Sequence, residues 1–176
     1  MSDQSQPETA AQQPQRPTAL LFVYSWDMLL AILALFGALA PFATAGQSNS
    51  LPLPVEIVEA VSSASYAAVL IIVASLLTRR RQWVRRLQMV TLGLAVALVA
   101  ISVVVDRLIG LQVELAPVLV LLLFALVDVL AIVVMTERRV VSWYVEPGPA
   151  PAYVTGTLGF WALSGAALIV VQAVVR

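Results

Sequence analysis

The 176-residue chain contains no cysteine, no histidine and no lysine, so arginine supplies all ten of its basic side chains. Without thiolates and imidazoles it lacks the usual ligands of haem, zinc and iron–sulfur clusters, and it can form no disulfide. Covalent catalysis by cysteine or lysine is excluded, as are Ser-His-Asp and Cys-His arrangements. We therefore expect no cofactor, no metal site and no enzymatic activity.

Charge of either sign is scarce. Only 11% of the residues are charged, whereas 61% are hydrophobic, and the ten arginines balance ten acidic residues. A soluble domain of this size cannot bury so much apolar surface, and about a quarter of its residues are normally charged. The composition predicts an all-α polytopic membrane protein, a bundle of transmembrane helices.

Five stretches are long enough to cross a membrane, since a bilayer core of about 30 Å requires about 20 apolar residues in a helix. They are residues 18–42, 58–78, 87–106, 114–136 and 157–175. The last follows a proline-rich stretch that we expect to be extended, and a four-span bundle is the alternative. Residues 1–17 are polar and rich in Gln and Pro, so they are expected to form a disordered tail, with residues 18–176 as the bundle.

The arginines predict the orientation, because positive charge near span ends is retained in the cytoplasm. A cytoplasmic N-terminus places eight arginines inside and two outside; the inner ones are Arg16, Arg79, Arg80, Arg81, Arg85, Arg86, Arg138 and Arg139. Five spans would then leave the C-terminus external. Arginine without lysine suggests a GC-rich bacterial genome, and hence the cell inner membrane.

Residues 43–45, Ala-Thr-Ala, resemble a signal-peptide cleavage site. The apolar run before them exceeds the usual length of about 7–15 residues, and it contains Asp27. We therefore expect the first span to remain uncleaved.

A faint repeat relates the chain to itself at a shift of 58 residues. It aligns residues 53–57 with 111–115 and residues 78–81 with 136–139. One explanation is a duplicated hairpin, giving two parallel copies plus one extra helix. The other, which we favour, is that any helix running from outside to inside begins with polar groups and ends with arginines.

Two acids, Asp27 and Asp128, lie inside predicted spans. Asp27 is nine residues after Thr18 and Asp128 eight residues before Thr136, so both lie about 12–14 Å from the same face. An ionised carboxylate in hydrocarbon costs at least about 2.5–3.5 kcal/mol, so both side chains should face the bundle interior. On a helix, Asp27 shares its face with Tyr24 and with Ala31, Ala34 and Ala38.

If the two acids meet, they cannot both ionise, and they form a minimal proton-binding site. Tyr24 would then orient one of them. The alternative is that each accepts a local hydrogen bond and only fixes helix packing. We favour packing, because no broken helix or central polar cluster in spans two and three accompanies the acids.

The predicted cytoplasmic surface is rich in arginine and tryptophan. Such residues anchor a protein to anionic headgroups and to the bilayer interface, and nucleic-acid binding is not expected of so short a loop. The predicted lipid-headgroup anchors are Arg79, Arg80, Arg81, Trp83, Arg85, Arg86, Arg138, Arg139 and Trp143. The acids near the outer span ends are read as charges at helix starts rather than as a metal site.

We interpret the chain as a multi-pass membrane protein that is an accessory or structural subunit, or a scaffold, of a membrane assembly. Its partners would be the lipid bilayer and other membrane subunits. The alternative is a small proton-linked transporter or channel component that uses Asp27 and Asp128. An intramembrane enzyme has the least support, because no nucleophile, metal site or oxyanion donors accompany the two aspartates.

Overall fold

A computed structural model describes residues 16–44, 52–110 and 115–175. In these ranges the regular structure is helical, apart from one isolated bridge between residues 81 and 146. The helices are α1 (Ala19–Thr44), α2 (Leu53–Leu76), α3 (Gln82–Leu108), α4 (Leu115–Thr136), α5 (Arg138–Trp143) and α6 (Ala152–Val175). The expected all-α bundle is confirmed, whereas the tail predicted for residues 1–17 lies almost wholly outside the described residues.

Five of the helices, all except α5, are long and apolar enough to span a membrane. The shortest, α4, has 22 residues and is therefore about 33 Å long. This agrees with the five predicted spans rather than with four. The six-residue helix α5 was not predicted; it lies between α4 and the extended segment that precedes α6.

Three helices begin about five residues earlier than the predicted spans. Helix α2 begins at Leu53, directly after Pro52 and with Pro54 in its first turn, where proline needs no hydrogen-bond acceptor. Helix α3 begins at Gln82, so Arg85 and Arg86 belong to the helix instead of preceding it. Charge limits how far a helix enters hydrocarbon, but an arginine side chain can reach the interface from within a helix.

The five long helices cross the bundle in alternating directions. One end therefore holds the starts of α1, α3 and α6 and the ends of α2 and α4; we call it the arginine-rich end. Helix α2 is central: it packs against α1, α3 and α6, while α4 packs against α3 and α1. It also has the largest buried share of any spanning segment, 44%.

The packed core lies towards the arginine-rich end. Its buried members come from every long helix and from the segment between α4 and α6, and include Leu20, Val73, Val84, Met135, Val140 and Val154. Towards the opposite end, the helices line an open cavity of about 450 Å³. The bundle is therefore tightly packed on one side of the two aspartates and open on the other.

Candidate functional site

Asp27 lies on the buried face of α1 and is 0% exposed. The face is formed by Leu20, Val23 and Ala31, which recur every three or four residues as a helix requires. The amide Nε2 of Gln88 on α3 donates a hydrogen bond of 2.8 Å to Asp27 Oδ1. Asp27 therefore faces the bundle interior, as predicted, and its partner is a glutamine that the sequence did not single out.

The surroundings of Asp27 contain unsatisfied polar atoms. Among the described residues, Asp27 Oδ2, Gln88 Oε1 and Thr91 Oγ1 are buried and have no hydrogen-bond partner. Gln88 and Thr91 are three residues apart on α3, and both are 0% exposed. A buried polar atom without a partner costs about 1–3 kcal/mol, so this cluster lowers the stability of the folded protein.

Asp128 lies on α4, where it is nearly buried at 6% exposure. The indole Nε1 of Trp26 donates a hydrogen bond of 2.7 Å to Asp128 Oδ1. The Trp26 ring also packs against Phe124, with ring centroids 5.5 Å apart. Two consecutive residues of α1 therefore connect it to two other helices: Trp26 hydrogen-bonds to α4 and Asp27 to α3.

The two carboxyls lie near one another but accept from different donors. Asp27 is eight residues from the start of α1 and Asp128 eight residues from the end of α4, which matches the common depth expected from the sequence. Trp26, which donates to Asp128, directly precedes Asp27 on α1. Tyr24 is 37% exposed on the outside of α1, and the donors to the carboxyls are Gln88 and Trp26.

Asp128 also lines the 450 Å³ cavity, to whose walls all five long helices contribute. Tyr66 and Trp161 stack on each other at the level of Asp128, with ring centroids 4.6 Å apart. From there the lining extends away from the arginine-rich end as far as Ser102 on α3 and Gln172 on α6. The walls are mainly apolar, with hydroxyl and amide groups placed along them.

Close helix packing borders the cavity. The Ser65 and Ser164 hydroxyls are 3.1 Å apart and join α2 to α6. At Gly165, an added Cβ would lie only 3.0 Å from Leu98 on α3. Small residues therefore let α6 approach its neighbours here, as they commonly do in membrane bundles.

At the arginine-rich end, the loop after α2 contacts the segment after α5. The Arg80 guanidinium lies 4.9 Å from the centre of the Trp143 ring, and its Nε donates to the Trp143 carbonyl at 3.3 Å. Arg81 pairs with Glu146 at 3.7 Å. Arg85 donates to the carbonyl of Met135, at the end of α4, at 3.3 Å. Four predicted lipid anchors, Arg80, Arg81, Arg85 and Trp143, thus have partners within the chain.

The other predicted anchors divide into exposed and buried residues. Arg79, Arg86, Arg138 and Arg139 are exposed, as a headgroup contact requires. Trp83 is only 8% exposed and belongs to the hydrophobic core, which corrects its prediction as an interfacial anchor. The correction follows from the early start of α3, which turns Trp83 inward in the first helical turn.

Tyr144 links the segment after α5 to the end of α2. It is 2% exposed, and its hydroxyl donates to the carbonyl of Leu77 at 3.1 Å. Burial raises the pKa of the phenol from 10.0 to about 12, while the nearby charges of Arg16 and Arg85 act in the opposite direction. The hydroxyl therefore keeps its proton, and with it this hydrogen bond, throughout the physiological range.

Within the described part of the chain, no three acidic side chains converge where they could hold a metal ion. Comparison with known protein families, with characterised proteins and with solved structures finds no match for this chain.

Proposed function

We propose that the protein is a small proton-linked transporter or channel component in which Asp27 and Asp128 bind the proton. The observation that carries this proposal is the hydrogen bonding of Asp27. Within residues 16–44, 52–110 and 115–175, no donor reaches its Oδ2 or the Oε1 of Gln88, and both acceptors are buried. A proton on Oδ2 converts one of these acceptors into a donor and removes the cost of a charge in hydrocarbon.

Asp128 gives the proton a route to this site. Its carboxyl lines the cavity, and Trp26, which donates a hydrogen bond to it, directly precedes Asp27 on α1. The cavity lining beyond Asp128 carries Ser62, Ser63 and Ser102, which can order water along the way.

The test is proton movement in liposomes containing the purified protein and a trapped pH indicator. After an imposed pH gradient, with valinomycin and potassium to balance charge, we expect the wild type to dissipate the gradient faster than empty liposomes. Asp27→Asn and Asp128→Asn should each abolish the difference, because Asn keeps the shape and cannot exchange a proton. Glu146→Gln, which removes an exposed carboxylate, is the matched control. Equal rates for all four proteins would refute the proposal.

A second candidate is an accessory or structural subunit without transport of its own. The exposure of two helices supports it. Only 17% of the spanning segment of α4 and 11% of that of α6 are buried, so most of their apolar surface is free to contact other helices or lipid. Mild-detergent extraction followed by native mass spectrometry tests it. A partner at fixed stoichiometry, retained by Asp27→Asn and Asp128→Asn, would favour this candidate.

We further propose that the arginine-rich end faces the cytoplasm of a bacterial cell and that the membrane is the inner membrane. Among the described residues at this end are eight arginines and only two glutamates, Glu137 and Glu146. The exposed side chains of Arg79, Arg86, Arg138 and Arg139 would contact anionic headgroups, at about 1 kcal/mol per basic residue near the surface. The N-terminus is then cytoplasmic and the C-terminus external.

A further inference from the structure

The cavity beside Asp128 combines apolar walls with a single charged group. Of the residues that line it, all within the described ranges, Asp128 alone carries a formal charge. The lining contains no arginine to neutralise that carboxyl, and the hydrogen bond from Trp26 comes from a neutral donor. A ligand that enters therefore meets a carboxyl with no cationic neighbour in the lining. Once that carboxyl gives up its proton, its negative charge attracts cations and repels anions.

Aromatic rings surround the carboxyl. Phe124 lies one turn from Asp128 on α4, and Tyr66 of α2 and Trp161 of α6, whose rings stack on each other, also line the cavity. The faces of such rings attract ammonium groups, and the attraction grows when the site excludes water. The combination of a carboxylate with aromatic rings is the chemistry that recognises an amine or a quaternary ammonium group.

The volume of the cavity and the oxygen ligands in its lining favour an organic cation over a metal ion. A volume of about 450 Å³ lies within the range of small-molecule sites. Calcium requires six to eight oxygen ligands, and magnesium a near-ideal octahedron of them. One carboxylate with scattered serines offers no such shell, and the apolar walls match a hydrocarbon body instead.

We propose that this cavity binds a small organic cation, an amine or quaternary ammonium compound with an apolar body, with Asp128 as its counter-ion. This inference rests on the proposed proton-linked function, for which it names the substrate class. Entry of the cation displaces the proton that Asp128 holds, so one proton is released to solvent for each monovalent cation bound. The titratable groups that face Asp128 are Asp27 from α1 and Tyr66 from α2; the lining residues of α3 and α6 are uncharged.

The experiment uses the full chain in dodecyl maltoside and radiolabelled benzyltrimethylammonium in equilibrium dialysis. We expect saturable binding of one cation per chain. Asp128→Asn should weaken it by about tenfold or more, because the buried counter-ion is lost while Trp26 keeps an acceptor. Glu146→Gln should bind as the wild type does. Neopentylbenzene, which has the same shape without the charge, should compete far less effectively than unlabelled cation.

A second variant covers the case in which Asp128→Asn fails to fold. Gly165→Val adds side-chain atoms beside Leu98 and Ser62, two residues of the lining, and removes no charge. We expect it to weaken cation binding by filling the cavity. Cation binding that is unchanged in a folded Gly165→Val protein would contradict the assigned site.

Three outcomes would overturn the proposed cation site. They are no saturable binding to the wild type, equal affinity in folded Asp128→Asn, and equal competition by neopentylbenzene, which would indicate a site for a lipid chain.

A pH indicator in weakly buffered solution separates the cation site from the proposed proton-linked function. Cation binding without proton release refutes the proton linkage and retains the cation site. Aspartate-dependent proton movement in liposomes without cation binding refutes the cation site alone.

Discussion

At the residue scale, the least compensated group is the Asp27 carboxyl. It donates nothing when ionised, and Gln88, which donates to it, has a buried Oε1 that no donor from the described residues reaches. Thr91, three residues further along α3, adds a third buried oxygen in the same state. An arrangement kept only for packing gains nothing from these groups, since apolar side chains of the same shape cost less in hydrocarbon. Their presence agrees with a site that takes up a proton.

Gln88→Met is expected to destabilise the protein by about 1–3 kcal/mol, because it leaves the buried carboxyl of Asp27 without its donor. Combining it with Asp27→Leu should restore most of that loss, since both polar partners then become apolar. Unfolding in mixed detergent, followed by tryptophan fluorescence, measures the free energies. If the double variant loses the sum of the two single losses, the pair does not interact as described.

Thr91→Val provides the matched control on the same helix. Its Oγ1 has no partner among the described residues, so replacing the hydroxyl by a methyl group should leave the stability unchanged or raise it. A clear loss would show that Thr91 makes a hydrogen bond that the account lacks.

The sequence predicted which acids are buried but not how they are held. A charge within an apolar run of some 20 residues is conspicuous, so Asp27 and Asp128 could be found without a structure. Gln88 could not, because it lies near arginines at the start of α3 and reads as a surface residue. Whether Tyr24, Trp26 or Gln88 meets a carboxyl depends on the rotation of α1 and the positions of its neighbours, which periodicity does not determine.

At the element scale, the arginine-rich end is a set of contacts between two loops as well as a charged surface. The chain after α5 lies beside the loop after α2. The backbone N–H of Gln82 donates to the carbonyl of Glu146 at 2.9 Å, and the backbone N–H of Glu146 donates to the carbonyl of Arg80 at 3.0 Å. Tyr144 adds a buried side-chain bond. These contacts connect the end of α2 to the segment leading into α6, and so position two walls of the cavity.

Tyr144→Phe should reduce stability at about pH 8 by about 1 kcal/mol, the usual value of one hydrogen bond. The phenol has a raised pKa, so its contribution is fully present below the unfolded value of 10.0 and is lost as the pH rises towards about 12. The margin between wild type and variant should therefore shrink across that interval. Unfolding midpoints of both proteins, measured from about pH 8 to about pH 12, test this expectation.

A constant margin across the whole pH range would contradict the buried, protonated state assigned to Tyr144. Glu146→Gln serves as the control for this end of the bundle. Its ion pair with Arg81 is exposed and 3.7 Å long, so its loss should change stability very little.

Helix boundaries show what the sequence could and could not provide at this scale. Span positions followed correctly from apolar length, because the bilayer dictates it. Helix starts were predicted too late wherever a helix continues beyond the hydrocarbon, as α3 does at Gln82 and α6 at Ala152. Trp83 was misassigned for the same reason, since a residue in a helical turn is turned inward or outward by packing rather than by its polarity.

At the scale of the whole molecule, packing is uneven along the bundle axis. The core cluster fills the arginine-rich half, and the cavity occupies the other, with Asp128 at the boundary. A ligand site that is firmly closed on one side and open on the other is what alternating access requires of one of its states. The hairpin repeat stays a prediction, since one of its aligned ends includes residues 111–114, which lie outside the described ranges.

The absence of cysteine makes the orientation directly measurable. Single-cysteine variants at Ser142, which is exposed at the arginine-rich end, and at Ile109, 43% exposed at the opposite end, can each be labelled without background. In intact cells whose outer membrane has been permeabilised, an impermeant maleimide should label Ile109→Cys and not Ser142→Cys. The reverse pattern would contradict the proposed orientation.

Proton binding at the two aspartates is measured most directly by infrared difference spectroscopy of the carboxyl groups in reconstituted protein across a pH titration. We expect the C=O stretch of a protonated carboxylic acid at neutral pH in the wild type. This band should be lost or displaced in Asp27→Asn and in Asp128→Asn but not in Glu146→Gln. A wild-type spectrum with only carboxylate bands at neutral pH, or a protonated band that neither aspartate variant alters, would contradict this expectation.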